Sequence, residues 1–229
     1  ASLALFKDNQ WTEHYIGTID GKAPVVPALI YDLASVSKVV GVGTVVISLV
    51  REGKLDIDAP LKQYYPDFHE EKLTLRQLLT HSSGINSFIP NRDALNAKEL
   101  KEAINHITVE DKKDFLYTDI NFLLLGFMLE GIFGKSLDGI FKETVFEPFD
   151  MTKTGFGPVK GAVPTVAGIS DGVVHDPKAK VLKNHAGSAG LFSNLVDLEK
   201  LCQHYLTDDF ASDIWQTLVM LNRNVHLLG

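Results

Sequence analysis

The sequence contains very little cysteine and no cluster of positive charge. Its 229 residues include one cysteine, Cys202, so an internal disulfide framework is excluded. Because Cys202 lies in an apolar helical pattern, we expect it to be a small core residue. The net charge of −7 is spread along the chain, and lysine and arginine form no block. Nucleic-acid binding therefore has little electrostatic support.

Long apolar runs and metal-binding motifs are missing as well. The longest apolar candidates, residues 39–50 and 122–129, are shorter than a membrane span, so we predict no transmembrane segment in this chain. No signal peptide is visible, although a leader could have been removed. Eight histidines are present, but there is no His-Glu-x-x-His motif and no cysteine pair, so we predict no metal ion and no cofactor.

The order of predicted elements indicates an α+β fold in one globular unit. Residues 2–7 and 10–17 have strand patterns, and Asp8-Asn9 between them is a hairpin turn signal. Residues 152–172 are rich in glycine and proline, which predicts irregular structure. Helices are predicted at residues 39–50, 61–65, 74–79, 96–108, 121–133, 137–146, 196–206 and 211–221. Strands followed by many helices are typical of a sheet with a helical lobe.

The segment at residues 33–38 places a hydroxyl and an amine three positions apart at the start of a long apolar run. Ser35 and Lys38 would lie on one face of a helix, one turn apart, so that the amine could take the proton of the hydroxyl. The helix N-terminus and apolar surroundings would favour the uncharged amine. The spacing alone is weak evidence, because a serine cap followed by a solvated lysine gives the same pattern.

The apolar run after Lys38 could be a strand or a helix. Its valines, with Gly41 and Gly43, favour a strand by local propensity. Its length favours a helix, because strands rarely exceed about eight residues, and Gly53 supplies a C-terminal stop. We therefore predict a helix that is buried on all sides and whose glycines allow neighbouring elements to approach closely.

Two later segments are candidates for the same site. Tyr117 and Asp119 lie just before a predicted helix, where a tyrosine close to a lysine can shuttle protons. The alternative is a tyrosine that packs its ring on the fold and leaves its hydroxyl in water. Residues 186–193 are rich in small side chains, which would let the backbone approach a ligand or would simply form a tight turn.

Together these segments resemble, in order and separation, the penicillin-recognising serine hydrolases. The branch they resemble contains the class C β-lactamases, the small penicillin-binding proteins and the family VIII esterases. The likeness extends through roughly residues 15 to 200 and includes four longer stretches: residues 31–38, 52–60, 78–84 and 146–151.

The resemblance implies a β-lactamase/transpeptidase-like fold, with an antiparallel sheet packed against helices. Residues 1–55 would supply sheet strands and the nucleophile helix, 56–184 the helical lobe with the motif loop, and 185–229 the return to the sheet. Ser35 would form an acyl-enzyme, with Lys38 and Tyr117 transferring protons, while Asp119 and Ser188 would contact the substrate. The implied substrates are a D-alanyl peptide of peptidoglycan, a β-lactam or a small ester, and relatives mostly work outside the cytoplasmic membrane.

The sequence departs from this family at two places. Asp119 stands where the family usually has asparagine, and a carboxylate there could pair with Lys38 but offers no amide N–H to a substrate. The third family motif, Lys-Thr-Gly or His-Thr-Gly on a strand, is not found after Phe192. Lys153-Thr154-Gly155 comes too early and matches a connection in the helical lobe. We therefore expect the C-terminal strands to be missing from this sequence.

Two other functions fit parts of the pattern. A homologue with the same fold could bind penicillin or act as a sensor without turnover, in agreement with Asp119 and the missing third motif. A hydrolase could instead use a Ser-His-Asp triad that includes His175 and Asp176. We expect His81 and His185 to be structural. The sequence does not determine the oligomeric state.

Overall fold

The computed structural model describes residues 1–166, 172–183 and 185–212. It begins with a hairpin of two antiparallel strands, β1 (Ser2–Lys7) and β2 (Gln10–Tyr15). Asp8 and Asn9 connect them with φ angles of 52° and 60°, the left-handed pair that a two-residue hairpin turn requires. The predicted hairpin is confirmed.

The segment that contains Ser35 is helical, as predicted, but it is not one uniform helix. A 3₁₀ turn (Ala34–Val36) is followed by a π-helical stretch (Lys38–Gly43) and then by α1 (Thr44–Arg51). A Cβ atom on Gly41 would lie 2.4 Å from the ring of Phe141, so this glycine does allow a close approach.

The prediction that this helix is buried on all sides is wrong. Val36 and Val39 are each about half exposed, at 51% and 54%, because one side of the helix faces the open surface around Ser35. The alternation of valines could not distinguish this side from the buried one.

Length and hydropathy alone would allow one described helical stretch to cross a membrane, contrary to the sequence prediction. Residues 34–51 form an 18-residue stretch of mean hydropathy 1.5, of which 56% is buried inside the fold. The core helix of a folded domain passes the same test. The helices at residues 119–133 and 137–146 pass it only if they are taken together, and they are bent by 79°.

The centre of the core is α5 (Asp119–Phe133), which is buried continuously from residue 120 to 129. Thr118 caps its start, and Gly134, with φ of 62°, ends it. After this glycine come α6 (Leu137–Phe141) and a π-helical stretch (Lys142–Phe146). The predicted break between the helices at residues 121–133 and 137–146 is confirmed.

A small antiparallel sheet brings distant parts of the chain together beside Ser35. Its strands are β3 (Tyr31–Asp32), β4 (Gly155–Phe156) and β5 (Leu191–Ser193), in the order β3-β5-β4. The N–H of Leu33 donates to the carbonyl of Leu191 at 2.9 Å. This pairing fixes the Ser35 segment against the glycine-rich loop that precedes β5.

Four of the remaining helices were predicted from the sequence, whereas the helix at residues 177–181 was not. The remaining helices are α2 (Leu61–Tyr64), α3 (Leu75–Leu79), α4 (Ala97–Asn105), α7 (Pro177–Val181) and α8 (Leu195–Thr207), with 3₁₀ turns at Arg92–Ala94 and Asp209–Ala211. Thr74 and Gln77 form a capping box at α3. Of the helix predicted at residues 211–221, nearly all lies outside the described residues. Cys202 is exposed on α8, so its assignment to the core is wrong.

Candidate active site

The nucleophile candidate Ser35 lies just after β3, on a backbone turn that a carboxylate holds in place. The Oδ1 atom of Asp32 accepts the N–H of Ala34 at 2.8 Å. Ala34 has a φ angle of 46°, a backbone conformation that residues other than glycine seldom adopt. Ser35 follows in the first helical turn, where backbone N–H groups lack partners within the helix, and its side chain is exposed.

Lys38 contacts Ser35 directly. Its Nζ atom lies 3.1 Å from Ser35 Oγ, and the residue is only 3% exposed. The alternative of a serine cap with a solvated lysine is therefore wrong, and the predicted one-turn contact is confirmed.

The surroundings of the Lys38 amine are polar rather than apolar. Besides Ser35 Oγ, Nζ contacts Asp119 Oδ1 at 2.8 Å and the carbonyl oxygen of Ser188 at 2.9 Å. Three oxygen acceptors match the three donors of an ammonium group. Within the described part of the chain, the amine thus has three polar contacts where the sequence predicted apolar walls.

Asp119 joins Lys38 to a second lysine that sequence analysis missed. Its Oδ2 atom lies 3.0 Å from Lys178 Nζ, on α7. Burial raises the pKa of Asp119, but hydrogen bonds from Lys38 and Lys178 outweigh this effect and keep the pKa below its usual value. The site thus contains a carboxylate held between two ammonium groups.

Tyr117 lies beside Lys38, with the Nζ atom 5.1 Å from the centre of its ring. The residue is half exposed. Among the described residues its hydroxyl hydrogen-bonds neither Ser35 nor Lys38. The structure therefore brings the predicted tyrosine to the site, and its role in proton transfer stays a prediction.

His81 holds the segment that contains Tyr117. Its carbonyl accepts the N–H of Leu116 at 2.8 Å, and its ring centre lies 4.5 Å from that of Tyr117. Its Nδ1 atom faces two N–H donors, the backbone of Thr118 at 3.4 Å and the Asn121 amide at 3.0 Å. Burial, followed by the charge of Lys38, lowers the pKa of His81.

Acidification should therefore destabilise the fold through His81. The usual pKa is 6.5, and the folded value is lower. Between these two pKa values the unfolded chain binds more protons than the folded chain. The contribution of His81 to the free energy of unfolding is therefore fully present above pH 6.5, and it is lost as the pH falls through the pKa of the folded protein. We expect the melting temperature to fall on acidification by about 2–4 °C for each kcal/mol lost, measured by thermal denaturation.

The control for this effect is His81→Gln, which keeps a neutral acceptor near Thr118 and Asn121 but does not titrate. Its loss of melting temperature between about pH 7 and pH 5 should be smaller than that of the wild type. Equal losses in the two proteins would show that His81 is not the titrating group.

The glycine-rich loop that precedes β5 packs closely against α5. A Cβ atom on Gly187 would lie 2.2 Å from the carbonyl oxygen of Phe122 in α5, so only glycine fits. Ser188 presents its carbonyl to Lys38, while its fully buried hydroxyl has no hydrogen-bond partner among the described residues. The predicted contact of Ser188 with substrate stays untested.

The other candidate motifs do not assemble at Ser35. His175 Nδ1 contacts Asp32 Oδ2 at 2.9 Å, whereas Asp176 caps α7 through the N–H of Ala179 at 2.8 Å, so these two do not form the pair a triad needs. The hydroxyl of Thr154, in the early Lys-Thr-Gly sequence, contacts Ser193 and Asp197. In the described ranges no group of three or more metal-ligating side chains is found.

Comparison with known sequences gives one family and several relatives. The sequence model of the family described as Beta-lactamase matches residues 1–225. A protein of Escherichia coli (strain K12), provisionally named D-alanyl-D-alanine carboxypeptidase, is 29% identical over 265 residues. The match covers 93% of this chain and 61% of that relative, so the chain spans less than two thirds of its length.

Several solved structures share the fold of this chain. A D-amino acid amidase from Ochrobactrum anthropi SV3, complexed with D-phenylalanine, gives a TM-score of 0.70 at 20% identity, over 89% of this chain and 64% of the amidase. A class C beta-lactamase from Rhodobacter sphaeroides gives a TM-score of 0.65 at 20% identity, over 87% of this chain and 58% of the enzyme. At such identities the likeness concerns the fold.

Proposed function

Because the chain belongs to the beta-lactamase family of serine hydrolases and has its fold, we propose that Ser35 is the nucleophile of an acyl-transfer hydrolase. The observation that supports this most is the 3.1 Å contact between Ser35 Oγ and Lys38 Nζ, with the serine exposed and the lysine buried. An exposed hydroxyl beside a buried amine is the arrangement that an activated nucleophile requires.

In the first step the oxygen of Ser35 bonds to a substrate carbonyl carbon while its proton passes to Lys38. This step requires the uncharged form of Lys38, which can still donate to Asp119 and to the carbonyl of Ser188 and turns its lone pair toward Ser35. We propose that the backbone N–H of Ser35 stabilises the oxyanion that forms.

In the following steps the bond between the carbonyl carbon and the leaving group breaks, and the leaving group takes up the proton. Tyr117, whose half-exposed ring lies beside Lys38, can pass that proton from Lys38 to the leaving group. Water then attacks the acyl ester, which releases the acid product and restores the hydroxyl of Ser35.

The substrates we propose are a D-alanyl peptide of peptidoglycan, a β-lactam, or a small ester or amide. The Escherichia coli relative supports the first by its name, and the structural neighbours support the β-lactam and the amide. The alternative is a binder or sensor that acylates without turnover. Lys38 already donates three hydrogen bonds, and these would slow proton transfer in every step.

A fluorescent penicillin tests this function on the full-length protein, with Ser35→Ala as the inactive variant and Ser48→Ala as the matched control. We expect covalent label in the wild type and in Ser48→Ala, no label in Ser35→Ala, and loss of label over time as the acyl-enzyme hydrolyses. Label that persists would favour the sensor. Hydrolase activity that survives in Ser35→Ala would refute both.

A further inference from the structure

The Lys178 side chain has no role in the mechanism described so far, yet it reaches the centre of the site. Its Nζ atom lies 3.0 Å from Asp119 Oδ2, while Lys38 Nζ lies 2.8 Å from Asp119 Oδ1. All three side chains are largely withdrawn from water, with exposures of 4% for Lys38, 22% for Asp119 and 13% for Lys178. One carboxylate therefore contacts two lysine amines at the same time, one through each oxygen.

The arrangement of α7 fixes this contact. Asp176 caps the helix through the N–H of Ala179, and Pro177 begins it, so Lys178 occupies a defined position in the first turn. The 3₁₀ turn at Arg92–Ala94 packs against α7. Lys178 is thus held toward Asp119 by its own helix and by a neighbouring turn.

We propose that Lys178 is a positioning residue that lets Lys38 give up its proton by keeping the Asp119 carboxylate paired. This inference rests on the proposed acylation of Ser35. When Lys38 becomes uncharged it ceases to be an ionic partner of Asp119, and a partly buried carboxylate without a cationic partner is strongly disfavoured. Lys178 remains as that partner, so the uncharged form of Lys38 becomes accessible.

Other charged and titratable groups around the three side chains do not replace Lys178. From the α3 side, His81 faces Lys38 and Asp119, but it is held as a hydrogen-bond acceptor by Thr118 and Asn121. Tyr117 covers Lys38 with its ring.

Arg92, on the Arg92–Ala94 turn, has electrostatic interactions with Asp119 and Asp176. Its side chain forms an ion pair with Asp93 at 2.8 Å. Asp93, on the same turn, has an electrostatic interaction with Lys178. Among the described residues, only Lys38 and Lys178 form ion pairs with Asp119.

The test is the pH profile of Ser35 acylation in the full-length protein, followed with a fluorescent penicillin. Removing the positive charge of Lys178 should favour the ammonium form of Lys38, so the acidic limb of the profile in Lys178→Met should move to higher pH. At about pH 7 we expect a roughly tenfold slower acylation, and a smaller loss as the pH rises. Lys178→Arg should restore the profile.

Asp119→Asn provides the decisive background, because an amide needs no cationic partner. Adding Lys178→Met to Asp119→Asn should change the acylation rate by less than about twofold. An unmoved limb in Lys178→Met, or the same tenfold loss in the Asp119→Asn background, would overturn the inference while leaving the proposed function intact. A wild type that shows no acylation at any pH would overturn both.

Discussion

Replacing Lys38 with methionine should slow acylation of Ser35 by about 10²- to 10⁴-fold, the range typical of a lost general base. Methionine fills much of the space of the lysine stem but cannot accept the proton of Ser35. The variant also leaves Asp119 paired with Lys178, so the carboxylate keeps one of its two cationic partners. The measurement is the pre-steady-state rate of labelling by a fluorescent penicillin.

The matched control for this prediction is Lys135→Met, which removes a lysine from an exposed ion pair with Glu143. It should leave the acylation rate unchanged and cost about 1 kcal/mol of stability at most. An unchanged rate in a folded Lys38→Met variant would remove Lys38 from the mechanism. Thermal denaturation of both variants establishes that the fold is intact.

Replacing Gly187 with alanine should destabilise the protein by about 3 kcal/mol, near the upper end of typical overpacking costs. The new Cβ atom would lie 2.2 Å from the backbone carbonyl of Phe122 and 3.1 Å from Gly126, so neither neighbour can move aside without shifting α5. For a chain of this size we expect a fall in melting temperature of about 6–12 °C. Because Ser188 follows directly, its carbonyl should shift away from Lys38 and acylation should slow.

Gly131→Ala is the matched control, because this glycine lies within α5 and a Cβ atom there would meet no atom within 4 Å. In a helix interior alanine is favoured over glycine, so this variant should gain about 0.4–1 kcal/mol of stability. A Gly187→Ala variant as stable as Gly131→Ala would show that the loop does not pack against α5 as described.

The parts of the fold that depend on near neighbours were predictable from the sequence. The Asp8-Asn9 turn, the capping box of Thr74 and the stop at Gly134 each involve residues a few positions apart. The contact between Ser35 and Lys38 is also of this kind, since it joins positions one helical turn apart.

The charge environment of the site was not predictable in this way. Lys38 meets Asp119 across 81 positions, and Lys178 meets Asp119 across 59. Lys178, Lys180 and Lys183 lie close together in the sequence, and only the direction of α7 in the folded chain selects the first of them. The family resemblance suggested a pairing of Asp119 with Lys38, but nothing in the sequence indicated the second lysine.

Apolar patterns also failed to show which side of a helix meets solvent. Cys202 and Val39 both lie in apolar stretches, yet both are exposed. The hydrophobic residues of α5 packed as expected, because that helix is surrounded by the core. Burial depends on which elements pack against a helix, and this information is spread over the whole chain.

The site of the covalent adduct tests the proposed nucleophile most directly. Trypsin cleavage after Lys22 and Lys38 would release residues 23–38, which contain both Ser35 and Ser37. Ser37 is buried and its hydroxyl accepts the N–H of Leu191, so it is a built-in internal control. After reaction of the full-length protein with a penicillin, fragmentation of this peptide should place the added mass on Ser35. An adduct on any other residue would contradict the account.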